Sequence, residues 1–254
     1  MNIPVLAILS KSAKFSLHYK RWFPYFIVYL VLSLVGFMIF KDEILSIILN
    51  PGELYLWDFM PAVFILAIMQ FMIITLIDGA VIYQSWKSKW KYYKESWKRA
   101  MEKYKSMIAA IFVIWLITTL FSMIPLVGFI IEFILFLAFI FTLQSIIISN
   151  NGFYEGISES VRIFRRHPLW VPLSYILILL AYIPFIVVLV LLAVCILFLY
   201  GIRIEYFTSP ALLVYAVFST HLALVIYSFG AAVVKTFTLK ALTEFYLVFR
   251  RKKR

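Results

Sequence analysis

One cysteine, three histidines and a 14% share of charged residues leave this chain short of the groups that most protein chemistry uses. The lone Cys195 excludes an internal disulfide and any CxxC site, and says nothing about redox compartment. His18, His167 and His221 lie far apart, and there is no HExxH, no GxSxG with a partnered histidine and no P-loop, so no catalytic, metal or cofactor-binding residue is assigned and the expectation is a protein that is not an enzyme. The shortage of charge beside 65% hydrophobic residues excludes an ordinary soluble domain, which averages about 45–50% apolar and 25% charged. Acidic residues are scarcer still, 12 against 24 lysines and arginines, for a net charge of +12. Gln (70, 84, 144) and Asn (2, 50, 150, 151) are rare beside abundant Lys and Ile, a composition that fits a thermophile's avoidance of labile side chains. The N-terminal stretch lacks a positive leader and a small-residue cleavage site, and reads as no signal peptide.

What is present is a series of long apolar runs. They predict an all-α integral membrane protein, a single domain over 1–254 with spans at about 22–40, 59–84, 107–123, 129–148, 169–200 and 210–234. Residues 41–58, with a turn at Asn50-Pro51-Gly52, read as an external loop, and Ile124-Pro125-Leu126-Val127-Gly128 as a tight hairpin. The run 169–200 would be about 48 Å long as a helix and reads as one kinked or tilted span around Pro172 and Pro184. Of the 24 basic residues, 22 fall on one side of this six-span topology and only Lys41 and Arg203 on the other. The positive-inside rule then places both termini in the cytoplasm of a cell-membrane protein.

The connecting segments carry the charge. From Trp86 to Lys105, Trp86, Trp90, Tyr93, Trp97, Met101 and Tyr104 share a face about 80° wide on a helical wheel, with lysines on the remainder. The pattern predicts one amphipathic helix lying at the membrane surface, Trp86, Trp90 and Trp97 setting its depth while Lys87, Lys91, Lys94, Lys98 and Arg99 meet anionic lipid headgroups. Segregation of the aromatics to one face argues against single-stranded nucleic acid as the partner. Two further surface helices are expected, one near the N-terminus with Leu6, Leu9, Ala13 and Leu17 on a face, and one over 150–167 with Ile157, Val161 and Phe164 as its apolar stripe. After span six, Ala241 to Arg250 reads as a closing helix.

Ser12, Ser96 and Ser160 each precede an apolar and then a basic residue (Ala13-Lys14, Trp97-Lys98, Val161-Arg162) at the entrance to an odd-numbered span. This suggests three repeats of a surface helix plus two spans, related by rotation about the membrane normal. Three basic amphipathic helices aligning by chance is the other reading. With Gly156-Ile157-Ser158-Glu159-Ser160-Val161-Arg162 and the closing Ala241–Arg250 stretch, the chain resembles prokaryotic six-span membrane proteins related to the membrane domain of glycerophosphoryl diester phosphodiesterases. The resemblance implies a fold and no activity, and it transfers no catalytic residue.

Ionisable groups inside spans are costly unless something pairs with them. Asp78, Glu132 and His221 are the three. Ala67, Gln70, Ile74, Asp78, Val81 and Ser85 share one helical face, and depth counting sets Asp78 level with Gln144 and Gln70 level with His221, giving an intramembrane polar set of Gln70, Asp78, Gln144 and His221. The sequence favours interhelical hydrogen bonding for it over a solute or proton site. Glu132 is expected to reach headgroup water or Arg203 near the external surface, and His221 to lie opposite the small-residue stripe Ala216, Ser219, Ala223 and Gly230. Asp78-Gly79-Ala80 lacks the further arginine and aspartates that metal-dependent alcohol phosphotransferases use. The reading is a membrane scaffold or accessory protein that engages anionic lipid and other membrane proteins. The alternative is a transporter of a small solute or lipid, whose mark is a polar cavity reaching Asp78.

Overall fold

In the computed structural model the chain is described over residues 3–49, 56–87, 93–124, 127–199 and 221–251. Its elements in order are α1 (Val5–Ser16), α2 (Tyr19–Leu49), α3 (Leu56–Lys87), α4 (Tyr93–Ser122), α5 (Val127–Phe139), α6 (Thr142–Ile148), α7 (Phe153–Arg166), α8 (Trp170–Leu199) and α9 (His221–Arg250). Among the described residues, six helical stretches are long and apolar enough to cross a membrane, at Tyr19–Ile39, Met60–Lys87, Tyr93–Ser122, Gly128–Ile148, Trp170–Leu192 and Leu222–Arg250. The protein is an all-α, multi-pass membrane protein.

The boundaries differ from the apolar runs where a helix continues through charge. The stretch from Trp86 to Lys105 is not one helix: Trp86 and Lys87 end α3, residues 88–92 with Trp90 and Lys91 lie outside the described residues, and α4 runs unbroken from Tyr93 into the apolar segment. Helix α2 likewise carries on to Leu49 through part of the expected loop, while the Asn50-Pro51-Gly52 turn lies outside the described residues. The expected closing helix is not separate, because α9 continues to Arg250 through Lys235 and Lys240. Span four, expected as one helix, is broken between Phe139 and Thr142. Span five is one helix, Trp170–Leu199, with Pro184 inside it and Pro172 in its first turn, where a missing N–H costs nothing.

Packing faces are also rotated from the expected apolar stripes. On α1 the buried residues are Ile8, Ser12, Phe15 and Ser16, while Leu6 and Leu17 are exposed. On α7 they are Gly156, Ser160 and Ile163, one position away from the expected Ile157, Val161 and Phe164. On the basic part of α4 they are Ser96 and Ala100, and Met101 of the aromatic face is exposed. Close helix packing admits small residues to the contact face beside a few large ones, here Ile8, Phe15 and Ile163, which rotates that face away from the stripe of large apolar residues. Ser12, Ser96 and Ser160 are each 0% exposed, so all three aligned serines are contact residues.

The chain forms two compact units. Unit 1 comprises 1–21, 75–181 and 235–254, and unit 2 comprises 22–74 and 182–234. In unit 1, α6 packs on α7 and α4, and α5 packs on α4 and α7. The hairpin between α4 and α5 closes with Gly128 N–H donating to the Ile124 carbonyl at 2.9 Å, and a Cβ on Gly128 would collide with the Phe121 carbonyl oxygen, so the turn needs glycine. In unit 2, the Trp22 ring meets Phe229 edge-on at 5.0 Å, and Gly230 lets α9 approach Leu189 of α8.

Candidate functional site

The site in unit 1 starts from a broken helix. Where α5 ends and α6 begins, backbone groups lose their helical partners, which in apolar surroundings must be replaced from within the protein. Ser160 of α7 does this with one hydroxyl: Oγ accepts from the Phe141 N–H at 3.1 Å and donates to the Ala138 carbonyl at 2.7 Å. Gly156, one turn earlier, permits the approach, since a Cβ there would sit 2.5 Å from Ile146 Cγ1. The turn from α6 into α7 uses Asn150 at φ 65°, a conformation asparagine tolerates, and Asn151, whose Nδ2 donates to Glu159 at 2.6 Å and to Ser145 at 2.9 Å.

Beside the break lies a cavity of about 470 Å³. Span four lines it with Phe139 and Ile140 on one side of the break and Thr142, Leu143 and Gln144 on the other. Ile111, Ile114 and Thr118 of α4 (i, i+3, i+7) form a second wall, and Tyr175 of α8 meets Phe136 of α5 edge-on at 5.1 Å within the lining. Three ionisable groups open onto this space: Asp78 from α3, Lys235 from α9 and Glu132 from α5. Asp78 Oδ2 and Lys235 Nζ stand 3.0 Å apart, with the carboxylate buried and the ammonium about one-third exposed. A pair held by two helices in apolar surroundings is strong only while both partners remain, because removal of one strands the other. Gln144 is 1% exposed, and among the described residues its Oε1 has no hydrogen-bond partner; neither has Oγ1 of buried Thr142.

Two further polar clusters brace unit 1. Lys240, 3% exposed, donates to the Ser85 carbonyl at 2.6 Å and to Glu244 Oε1 at 2.5 Å, tying α9 to the end of α3. Glu159 of α7 accepts from Ser145 at 2.6 Å and from the Tyr246 hydroxyl at 3.0 Å and pairs with Arg250 Nε at 3.3 Å. Gln84 Nε2 donates to Ser96 Oγ at 3.0 Å, joining α3 to α4. Lys235 and Lys240, which count as loop charges in the hydropathy reading, are therefore structural cations of a helix. Among the described residues, no group of three His, Cys, Asp or Glu is placed to hold a metal ion.

Of the sequence-assigned polar set, the fold brings Asp78 and Gln144 to one cavity. Gln70 is instead in unit 2, on a groove of about 380 Å³ with Tyr29, Ser33, Gly36 and Tyr227, and the His221 side chain is outside the described residues. Ala223 and Gly230 of the small-residue stripe are buried, while Ala216 and Ser219 lie outside the described residues. Glu132 shares the cavity with Asp78, and Arg203, its expected partner, lies outside the described residues. Of the basic and aromatic set, Lys94 and Lys98 are exposed, Arg99 pairs with Glu102 at 3.5 Å, Lys87 stacks over the Trp86 ring at 4.1 Å, and Trp97 meets Tyr93 edge-on. Tyr83, Trp86, Lys87, Lys98 and Arg99 with Glu95 and Glu102 border a shallow recess of about 350 Å³.

Lys235, Thr118, Thr142, Tyr175 and Thr238 are the polar lining residues that the polar-residue search missed. A signal for Thr142 and Thr238 exists: Phe141-Thr142-Leu143-Gln144 and Phe237-Thr238-Leu239-Lys240 share three residues, and Ile74-Thr75-Leu76 repeats the Thr-Leu pair in span two. Thr142 and Thr238 both line the cavity and Thr75 is buried. Neither a family model, nor a curated protein, nor a solved structure matches the chain.

Proposed function

We propose that this protein is a noncatalytic, membrane-embedded binding protein that takes up an amphipathic small molecule or lipid in the unit 1 cavity and carries it within the bilayer. The observation that carries this reading is the cavity beside the broken span four. It reaches an intramembrane ion pair, Asp78–Lys235, and is lined by Gln144, whose buried Oε1 has no hydrogen-bond partner among the described residues. Its size and its apolar lining with a few convergent polar groups match ligand sites in general. Native mass spectrometry of the full-length protein released from detergent tests the reading. The wild type should retain one bound amphipath that Ile114→Trp, which fills the cavity, loses; a bare wild type, or the same adducts on both proteins, would overturn it.

The scaffold reading keeps one supporting observation, the exposure of Lys94 and Lys98 on the side of α4 away from its buried Ser96 and Ala100. In it, these cations and Lys87 engage anionic headgroups at the cytoplasmic surface, each contributing about 1 kcal/mol. Thermal unfolding in phosphatidylglycerol against phosphatidylcholine nanodiscs should show a difference that Lys94→Ala with Lys98→Ala reduces. With Lys235 and Lys240 set aside as helix cations, 20 of the 22 remaining basic residues still fall on one side, an asymmetry that supports cytoplasmic termini. A reporter fused at Asn50 should report the external side and one fused after Arg251 the cytoplasm.

A further inference from the structure

Among the described residues, the cavity lining carries more negative than positive charge, which bears on its occupant. Asp78 and Glu132 contribute two carboxylates and Lys235 one ammonium, already held at 3.0 Å by Asp78. Glu132 has no ion-pair partner among the described residues and sits in the apolar sequence Phe129-Ile130-Ile131-Glu132-Phe133-Ile134, where an unpaired carboxylate is costly. Gln144 Oε1 is an acceptor and can be satisfied only by a donor. Phe136 and Tyr175 add aromatic surface to the lining, packed edge to face on each other at 5.1 Å. An anion would face two carboxylates and compete with Asp78 for Lys235. A neutral molecule would leave Glu132 uncompensated.

We propose that the cavity is selective for an amphipathic molecule bearing an ammonium group, its apolar body lying against Ile111, Ile114, Phe139 and Ile140 and its N–H donors directed to the carboxylates and to Gln144. The inference rests on the binding reading above and adds the charge and donor character of the ligand. The ammonium belongs either to a long-chain amine or to the headgroup of an aminolipid, and both present the same chemistry to the site.

The full-length protein in dodecyl maltoside is titrated calorimetrically with octylamine, octan-1-ol and octanoate. Octylamine should bind at least about tenfold more tightly than octan-1-ol, with octanoate weakest, and Glu132→Gln should bring octylamine close to the alcohol. Glu132 lines the cavity with an exposed side chain, so its amide variant leaves the packing of unit 1 intact. Competition by phosphatidylethanolamine, absent with phosphatidylglycerol, assigns the ammonium to a membrane lipid; octylamine binding unaffected by either lipid assigns it to a free amine. Equal binding of the three probes, or an octylamine preference unchanged in both Glu132→Gln and Asp78→Asn, overturns the ammonium assignment while leaving the cavity as a binding site. Binding of none of the probes, together with a bare protein in the mass-spectrometric experiment, removes both.

Discussion

Helices α3 and α9 pass through both units, and their two halves are built on different principles. In unit 2 the α3 residues Met60, Phe64, Ile65, Ile68, Met69 and Ile73 are exposed large apolar side chains, and Gln70 is the one amide among them. In unit 1 the same helix is buried from Ile77 to Ser85 and carries Asp78, Gly79 and Gln84. Helix α9 repeats the change: Leu222, Val225 and Tyr227 are exposed, whereas Lys235, Lys240 and Glu244 make ion pairs. One half turns large apolar side chains outward, where any apolar residue serves. The other half is held by small residues and paired polar groups, where identity matters. Binding capacity follows the second kind of construction, because polar side chains can be presented inside a bilayer only where other protein groups position them.

If that contrast is correct, substitutions in unit 1 should cost several times more than those in unit 2. The largest loss is expected for Lys240→Ala, which removes a buried cation from Glu244 and the Ser85 carbonyl, at about 3–5 kcal/mol in an SDS unfolding titration. Gly156→Val comes next, with overpacking against Ile146 costing about 1–3 kcal/mol by thermal unfolding in micelles. Ser160→Ala should cost a similar or slightly smaller amount, about 1–3 kcal/mol, because it strands the Phe141 N–H and the Ala138 carbonyl; hydrogen exchange at Phe141 should accelerate. Val31→Ala in unit 2, where the side chain is exposed, should stay within about 0.5 kcal/mol. A Val31→Ala loss matching that of Ser160→Ala would erase the distinction between the halves.

The same contrast explains what the sequence made legible. Six apolar runs, the hairpin glycine and the single long helix α8 were readable because lipid-facing residues are uniformly apolar, and hydropathy measures that directly. Asp78 and Gln144 were placed level with each other, and the cavity joins them. The boundaries failed at Lys235, Lys240 and the Glu95–Lys105 part of α4, because a charged residue in a helix reads as the end of a span whether water or a carboxylate satisfies it. The contact faces of α1 and α7 failed for the opposite reason. Periodicity follows large apolar residues, whereas Ser12, Gly156 and Ser160 make the contacts. Ser160 was found by alignment, but its role in patching the break in span four depends on the backbone N–H of Phe141 and the carbonyl of Ala138, groups that every residue carries.

The most direct test of the binding claim is a structure of the full-length protein purified in native-lipid nanodiscs. The account predicts continuous non-protein density in the unit 1 cavity, bounded by Asp78, Gln144 and Glu132, with Gln144 Oε1 accepting a hydrogen bond from it. A closed cavity, with Gln144 bonded to a protein donor and no density beside the Asp78–Lys235 pair, would contradict it.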